Sequence, residues 1–302
     1  MSDDPQLELE AVGPEAAAEL LTVVRAAFSG RPPLDPPTEA LAETEESLAR
    51  ALGRHGGLVA RLDGRPVGGL VLDPAEGTLF LRRVGVDPTA QSHGVAHRLV
   101  EAAVESALGW ASLTVLAREE LPRTIGFWES VGFTETDRRS PHVELRRDLP
   151  AQVEVPDAEA MRDLGERFGR TLRAGDVVIL TGELGAGKTT FSQGLGAGLG
   201  VRGGITSPTF VISRVHPSLV GGPDLVHVDA YRLGGAPELD DLDLDAALDT
   251  AVTVVEWGAG LAEQLAERRI EVTITRALGD EVPAPDGPDP RQVTIRRVTA
   301  PG

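Results

Sequence analysis

The chain has 302 residues, of which 41% are hydrophobic and 25% charged, with a net charge of −18 and no cysteine. This length and composition suit two soluble globular domains of ordinary size. The missing cysteine excludes disulfides, thiolate catalysis and cysteine-ligated zinc. The acidic balance is shared equally by the two halves and disfavours sequence-independent binding to a phosphate backbone. A role in nucleic-acid metabolism should therefore run through a protein partner. The acidic start Met1-Ser2-Asp3-Asp4 lacks the basic and apolar regions of a signal peptide. No apolar run approaches the roughly 20 residues that span a bilayer, so no membrane partner is expected and a cytoplasmic location is.

The first half should open with a strand over 7–12 and a helix from Pro14 to about Phe28, where proline at the first helical position favours the start. A second helix is expected over 38–51. A hairpin follows, 58–62 and 67–72 around Asp63-Gly64, then a long strand over 78–86. A helix over 94–108, a strand over 112–116, a short helix over 122–131 and a final ribbon complete this half. The polar stretch Arg146–Gln152 contains Pro150 and separates it from a second periodic region.

Within the first half, Leu81-Arg82-Arg83-Val84-Gly85-Val86-Asp87-Pro88 is followed by Gln91-Ser92-His93-Gly94-Val95-Ala96 and later by Phe127-Trp128-Glu129-Ser130-Val131-Gly132-Phe133. These segments resemble the GNAT family of N-acetyltransferases over roughly residues 7–148. The resemblance implies a mixed, splayed central sheet, with Gly85 at a bulge in its central strand. It also implies that the backbone beside Gly85, at Val84 and Val86, pairs with the pantetheine of acetyl-CoA. Gln91, His93, Gly94, Val95 and Ala96, at the start of the next helix, would hold the pyrophosphate. The sequence departs from the family where a tyrosine usually serves as general acid. Trp128 stands there, Leu121 and Thr124 replace the usual Asn and Ala, and an indole donates no catalytic proton. Glu119, Glu120 and Glu129 are candidate bases, and nothing in the sequence selects one.

The second half alternates helix and strand: a helix over 158–172, a strand over 176–181, a helix from Lys188, then strands over 225–228, 252–255, 270–275 and 292–298. The segment 277–290, rich in Pro, Gly and Asp, should be an exposed loop. Between the first strand and the helix lies Gly182-Glu183-Leu184-Gly185-Ala186-Gly187-Lys188-Thr189, the G-x-x-x-x-G-K-[ST] phosphate-binding loop. All but one of the 29 lysine and arginine residues are arginine, and the single lysine is Lys188. Arginine serves where a surface charge suffices, but a phosphate loop beside a metal needs the compact ammonium. Backbone amides of Gly185, Ala186, Gly187, Lys188 and Thr189, with Thr190 behind them, would wrap the phosphates of ATP. Lys188 would contact the β- and γ-phosphates, and Thr189 would offer its hydroxyl to Mg²⁺. Gly194, Gly196 and Gly198 weaken the following helix, each by about 1 kcal/mol relative to alanine.

Two strands end in an acid, Asp229 and Glu256. Ligands of parallel sheets bind at the carboxyl ends of strands, so both should reach the phosphate loop. One would complete the Mg²⁺ shell and the other position the attacking water. His227 is expected to pack or hydrogen-bond, and Arg232 either to supply transition-state charge or to form a structural ion pair.

The phosphate loop, Ser207-Pro208-Thr209-Phe210, His227-Val228-Asp229-Ala230-Tyr231-Arg232-Leu233 and Val255-Glu256-Trp257-Gly258 together resemble the TsaE family. That family comprises bacterial ATPase subunits for N6-threonylcarbamoyladenosine synthesis on tRNA, and the resemblance covers about residues 155–300. It implies that Thr189 and Glu256 hold Mg²⁺, with Asp229 near the γ-phosphate. It further implies a switch-like loop at 206–209, and Trp257 close to the nucleotide. The implied partners are protein subunits of the threonylcarbamoyl transferase complex, of TsaB and TsaD type, with tRNA reached only indirectly. Arg291 is a further candidate phosphate contact.

The expected fold class is α/β: a GNAT-like α+β domain over 1–150 and a P-loop NTPase domain with a mostly parallel sheet over 151–302. Two other functions fit a phosphate loop. One is a P-loop small-molecule kinase, although no arginine-rich lid insertion follows Lys188. The other is an acetyltransferase regulated by a nucleotide-sensing domain.

Overall fold

The computed structural model describes residues 6–75, 77–208, 212–232, 249–263, 266, 268–276 and 290–298. The chain divides into two units, residues 1–107 with 111–149, and residues 108–110 with 150–302. The expected loop at 277–290 lies outside the described residues except for Pro290. No helix among the described residues is long and apolar enough to cross a membrane.

The first unit contains β1 (Leu7–Val12), α1 (Ala17–Ser29), α2 (Glu45–His55), β2 (Gly57–Leu62), β3 (Arg65–Ala75) and β4 (Thr78–Val86). It continues with α3 (Val95–Ser106), β5 (Ser112–Arg118), α4 (Pro122–Ser130), β6 (Thr134–Arg139) and β7 (His142–Asp148). The seven strands form a mixed sheet in the order β1-β2-β3-β4-β5-β7-β6. The helix expected over 38–51 is interrupted. Thr38 caps a single 3₁₀ turn, Glu39–Ala42, and Thr44 then starts α2 with its own capping box to Ser47. Gly68 and Gly69 admit helices to both faces of the sheet. A side chain at Gly68 would meet Val95 and Leu99 of α3, and one at Gly69 would meet Leu20 of α1.

β4 and β5 run parallel but pair only at Leu79–Leu113 and Phe80–Thr114, so the sheet splays beyond Phe80. The bulge expected at Gly85 is centred on Arg83. The β3–β4 register shifts between Gly69 and Val71, and Arg83 takes a left-handed φ of 55°. Gly85 has a different task. A Cβ there would lie 2.8 Å from the Ala27 Cβ, so its hydrogen lets α1 lie close to the sheet.

The second unit contains β8 (Gln152–Val155), α5 (Ala158–Gly169), β9 (Val177–Gly182), α6 (Lys188–Leu199), β10 (Ser213–His216), β11 (Asp224–Asp229), β12 (Ala251–Glu256), β13 (Arg269–Arg276) and β14 (Arg291–Val298). Their order is β10-β11-β12-β9-β13-β14-β8. The four central strands β11, β12, β9 and β13 are parallel, whereas β10, β14 and β8 add antiparallel pairs at the two edges. Sequence periodicity misses β8 and β10 because each has only four residues. Each face of the sheet has its own core. Val178, Leu180, Leu225, Val252 and Val254 pack under α5 and α6, while Ile179, Val226, Val228 and Val255 form the opposite cluster.

The glycines that weaken α6 also allow its packing. A Cβ on Gly194 would collide with the Arg162 carbonyl oxygen, and one on Gly198 with that of Glu166. Reciprocally, Gly165 and Gly169 of α5 face the carbonyls of Phe191 and Leu195. The two helix backbones thus touch along glycines spaced four apart on each helix. Gly194→Ala gains about 1 kcal/mol of helix propensity but forces the backbones apart at an overpacking cost of about 1–3 kcal/mol. Denaturant unfolding should therefore report a less stable variant.

Candidate functional site

In the second unit, the register of the parallel strands decides where the functional side chains lie. Asp229 pairs with Glu256 across β11 and β12, and Glu256 pairs with Leu180 of β9. β9 ends at Gly182, where the phosphate loop begins. Gly185 (φ 77°) and Gly187 (φ 108°) need the left-handed conformation that glycine adopts freely. Gly187 caps α6, whose first residue is Lys188. Gly185 is exposed, Ala186 is buried, and Thr189 and Thr190 are half-buried. The structure therefore gathers Gly185–Thr190, Asp229 and Glu256 at one edge of the sheet. β13 and β14 place Arg291 at the same edge by register, since Gly182 pairs with Ile274 and Arg276 with Arg291.

Lys188 is only 6% exposed. Its Nζ donates to the carbonyls of Gly182 (2.7 Å) and Glu183 (3.0 Å) and lies 3.7 Å from the ring centroid of Trp257. Burial lowers the Lys188 pKa, partly offset by attraction to Glu256 and Asp229. Trp257 follows Glu256 directly, and its φ of 61° turns the chain out of β12. Its ring sits 5.2 Å from that of Tyr231, which is 62% exposed.

The two carboxylates are held differently. Asp229 Oδ1 accepts from the Tyr231 amide and Oδ2 from the Ser207 hydroxyl, each at 2.9 Å. Glu256 accepts twice on one oxygen, Oε1, from Ser192 Oγ at 3.2 Å and from His227 Nε2 at 2.9 Å. Its Oε2 accepts no hydrogen bond among the described residues, and the Thr189 hydroxyl makes none either. A hydroxyl and a carboxylate oxygen left uncommitted are hard donors that suit Mg²⁺. His227 hydrogen-bonds to Glu256; no group of three or more acidic or histidine side chains that could hold a metal occurs among the described residues. Ser192 escaped the sequence reading, although it lies one helical turn after Lys188 and so on the same side of α6. Ser207 and Pro208 of the expected switch loop are described, Thr209 is not, and the Arg232 side chain lies outside the description.

In the first unit, the splay leaves the β5-facing edge of β4 unpaired beyond Phe80, along the run that includes Val84 and Val86. Asp87 then starts a 3₁₀ turn, Pro88–His93, that contains Gln91 and His93. Gly94 is left-handed at φ 69°, with open space where a side chain would be, and Val95 and Ala96 begin α3. Arg83 bonds Glu43 at 2.6 Å and Glu39 at 3.3 Å, beside a cavity of about 320 Å³. Arg118 at the end of β5 donates to the carbonyls of Asp35 and Pro36. Two arginines on the two splayed strands thereby hold the connection between α1 and α2. Trp128 is buried in an aromatic cluster with Phe127 and Phe133. Of the candidate bases, Glu120 is held below the ordinary carboxylate pKa chiefly by its hydrogen bond from Arg118, and Glu119 accepts from Ser140.

The family model "Threonylcarbamoyl adenosine biosynthesis protein TsaE" matches residues 155–281, and that of the acetyltransferase (GNAT) family matches residues 21–133. A Streptomyces coelicolor protein described as "tRNA threonylcarbamoyladenosine biosynthesis protein TsaE" is 65% identical over 121 residues, which are 40% of this chain and 82% of that protein. The chain belongs to the TsaE family. Proteins of the same description from Mycobacterium tuberculosis and Bacillus subtilis are 47% and 39% identical. These matches cover 46% and 43% of this chain, and 87% and 78% of those relatives. The TsaE model matches the second half of the chain, and the acetyltransferase-family model matches a stretch of the first half.

Asp87 offers a test of how the turn before α3 is fixed. Its carboxyl is held below its ordinary value chiefly by bonds from the Thr89 hydroxyl and amide, with Arg65 adding to them. A carboxylate whose pKa is lowered on folding contributes stability above its unfolded value near 4, and loses it as pH falls through the folded value. Asp87→Ala should cost up to about 1 kcal/mol at neutral pH, the scale of a lost cap. In urea unfolding the difference from the parent should shrink as the pH drops below about 4.

Proposed function

We propose that the second unit binds and hydrolyses Mg–ATP as the ATPase subunit of the machinery that makes N6-threonylcarbamoyladenosine on tRNA. The supporting observation is the shared edge at which Lys188, Thr189, Asp229 and Glu256 meet. Amides of Gly185–Thr189 would cradle the phosphates. Lys188 is already desolvated, so its ammonium would exchange two carbonyls for the β- and γ-phosphates. Thr189 and Glu256 would hold Mg²⁺, which supplies charge neutralisation at the phosphate oxygens. Asp229, fixed by Ser207 and the Tyr231 amide, would orient the attacking water and could hold a separate water of the metal's shell. The γ-phosphoryl would pass to water, and Trp257 would border the nucleotide.

The first unit would bind acetyl-CoA between the splayed strands, with the pantetheine along Val84–Val86 and the pyrophosphate at His93–Ala96 and Gln91. An acceptor amine would attack the thioester and give up its proton to a nearby carboxylate or to solvent, and the departing coenzyme A thiolate would take a proton from water because Trp128 supplies none. Transfer without a phenolic acid should be slow.

The acidic surface favours protein partners, of TsaB and TsaD type, over direct tRNA contact. A cytoplasmic site of action goes with this reading. Lys188→Ala should abolish ATP binding by calorimetry while acetyl-CoA binding persists, and joint loss would refute independent sites. ATP hydrolysis should rise when the transferase subunits are added. No stimulation would contradict the assignment to that machinery.

A further inference from the structure

His227 lies in the middle of β11 and is fully buried, at a position where valine or leucine is the commoner choice. Nε2 is 2.9 Å from Glu256 Oε1, whereas Nδ1 has no hydrogen-bond partner among the described residues. A buried ring nitrogen left unpaired costs stability. The geometry sets the tautomer. With the proton on Nε2, the ring donates to the carboxylate and leaves Nδ1 as a bare acceptor. The alternative would set a lone pair against the anionic oxygen and strand a buried N–H.

Ser192 reaches the same oxygen from α6. Two donors fixed on a strand and a helix therefore claim Oε1 and hold the carboxylate plane, leaving Oε2 as the uncommitted atom. We infer that His227, with Ser192, is a positioning residue that presents the free oxygen of Glu256 to the divalent cation. This rests on the nucleotide-site reading above and deepens it. Partners that orient metal ligands typically account for about 10–100-fold in metal affinity. The groups facing the ring also disfavour a purely structural role. His216, whose ring centroid is 6.5 Å away, has its own Nε2 unpartnered among the described residues, so the pair gains no mutual hydrogen bond.

The test uses the full chain and compares two substitutions of similar polarity. In His227→Gln the side-chain amide can reach the position of Nε2, whereas in His227→Asn it reaches only that of Nδ1. Binding of a non-hydrolysable ATP analogue is measured by calorimetry with EDTA and with Mg²⁺. Uptake of free Mn²⁺ in the presence of the analogue is followed by electron paramagnetic resonance. The Asn variant should lose about tenfold or more in the metal-dependent part alone, and the Gln variant should recover most of it. Metal-free binding should be unchanged in both, which a global folding defect would not allow. Ser192→Ala should show the same metal-only loss, which guards against misfolding of a strand-centre variant. If the parent gains affinity with metal but both His227 variants match it, the positioning role is wrong and the nucleotide site stands. If the parent gains nothing from metal, the nucleotide-site reading fails and this inference with it.

Discussion

The second unit depends on one constraint: the parallel register of β11, β12 and β9. Hydrogen bonding between these backbones puts Asp229 beside Glu256 and Glu256 beside the strand that runs into the phosphate loop. Residues 27 positions apart in the chain become neighbours because each ends its strand at the same level. A slip of either strand by one residue would turn its carboxylate to the other face of the sheet. The apolar side chains guard against that slip, since the two faces carry different clusters and both are buried.

The packing behind the sheet serves the same end. α6 begins with Lys188, so the placement of that helix sets the height of the ammonium above the strands. Glycines at 165, 169, 194 and 198 let α5 and α6 touch backbone to backbone, and any added side chain there would displace α6. Their intrinsic helix cost is accepted locally for that close approach. Lys188 lies against the Trp257 indole, which ties the helix start to the end of β12. Ser192 and His227 then reach Glu256 from a helix and a strand, so the site joins both layers of the fold.

Most of the architecture was legible because its signals are local. The strand over 78–86, the phosphate loop and the acids closing β11 and β12 can all be read from apolar runs and their punctuation. The interruption before α2 was hidden because Thr44, a good cap, lies inside a stretch of good helix formers. In the sequence Gly85 is the natural site for a bulge because glycine tolerates unusual backbone. The structure instead puts the left-handed residue at Arg83, whose side chain is held by ion pairs to Glu39 and Glu43. β8 and β10 are too short for periodicity to register. Ser192 is silent in the sequence for a different reason: its role arises only when α6 packs on β12, and no spacing along the chain encodes that meeting. In the sequence the glycines of α6 look only like a local weakness, because their partners lie on another helix.

The central claim is that an ammonium, a hydroxyl and two strand-end carboxylates converge on one magnesium-bound triphosphate. A crystal structure with Mg²⁺ and a non-hydrolysable ATP analogue tests it most directly. The account predicts phosphate density against the amides of Gly185–Thr189, with the metal ligated by Thr189 Oγ1 and Glu256 Oε2 and by a water held by Asp229. Nucleotide bound elsewhere, or a metal with neither Thr189 nor Glu256 in its shell, would contradict it.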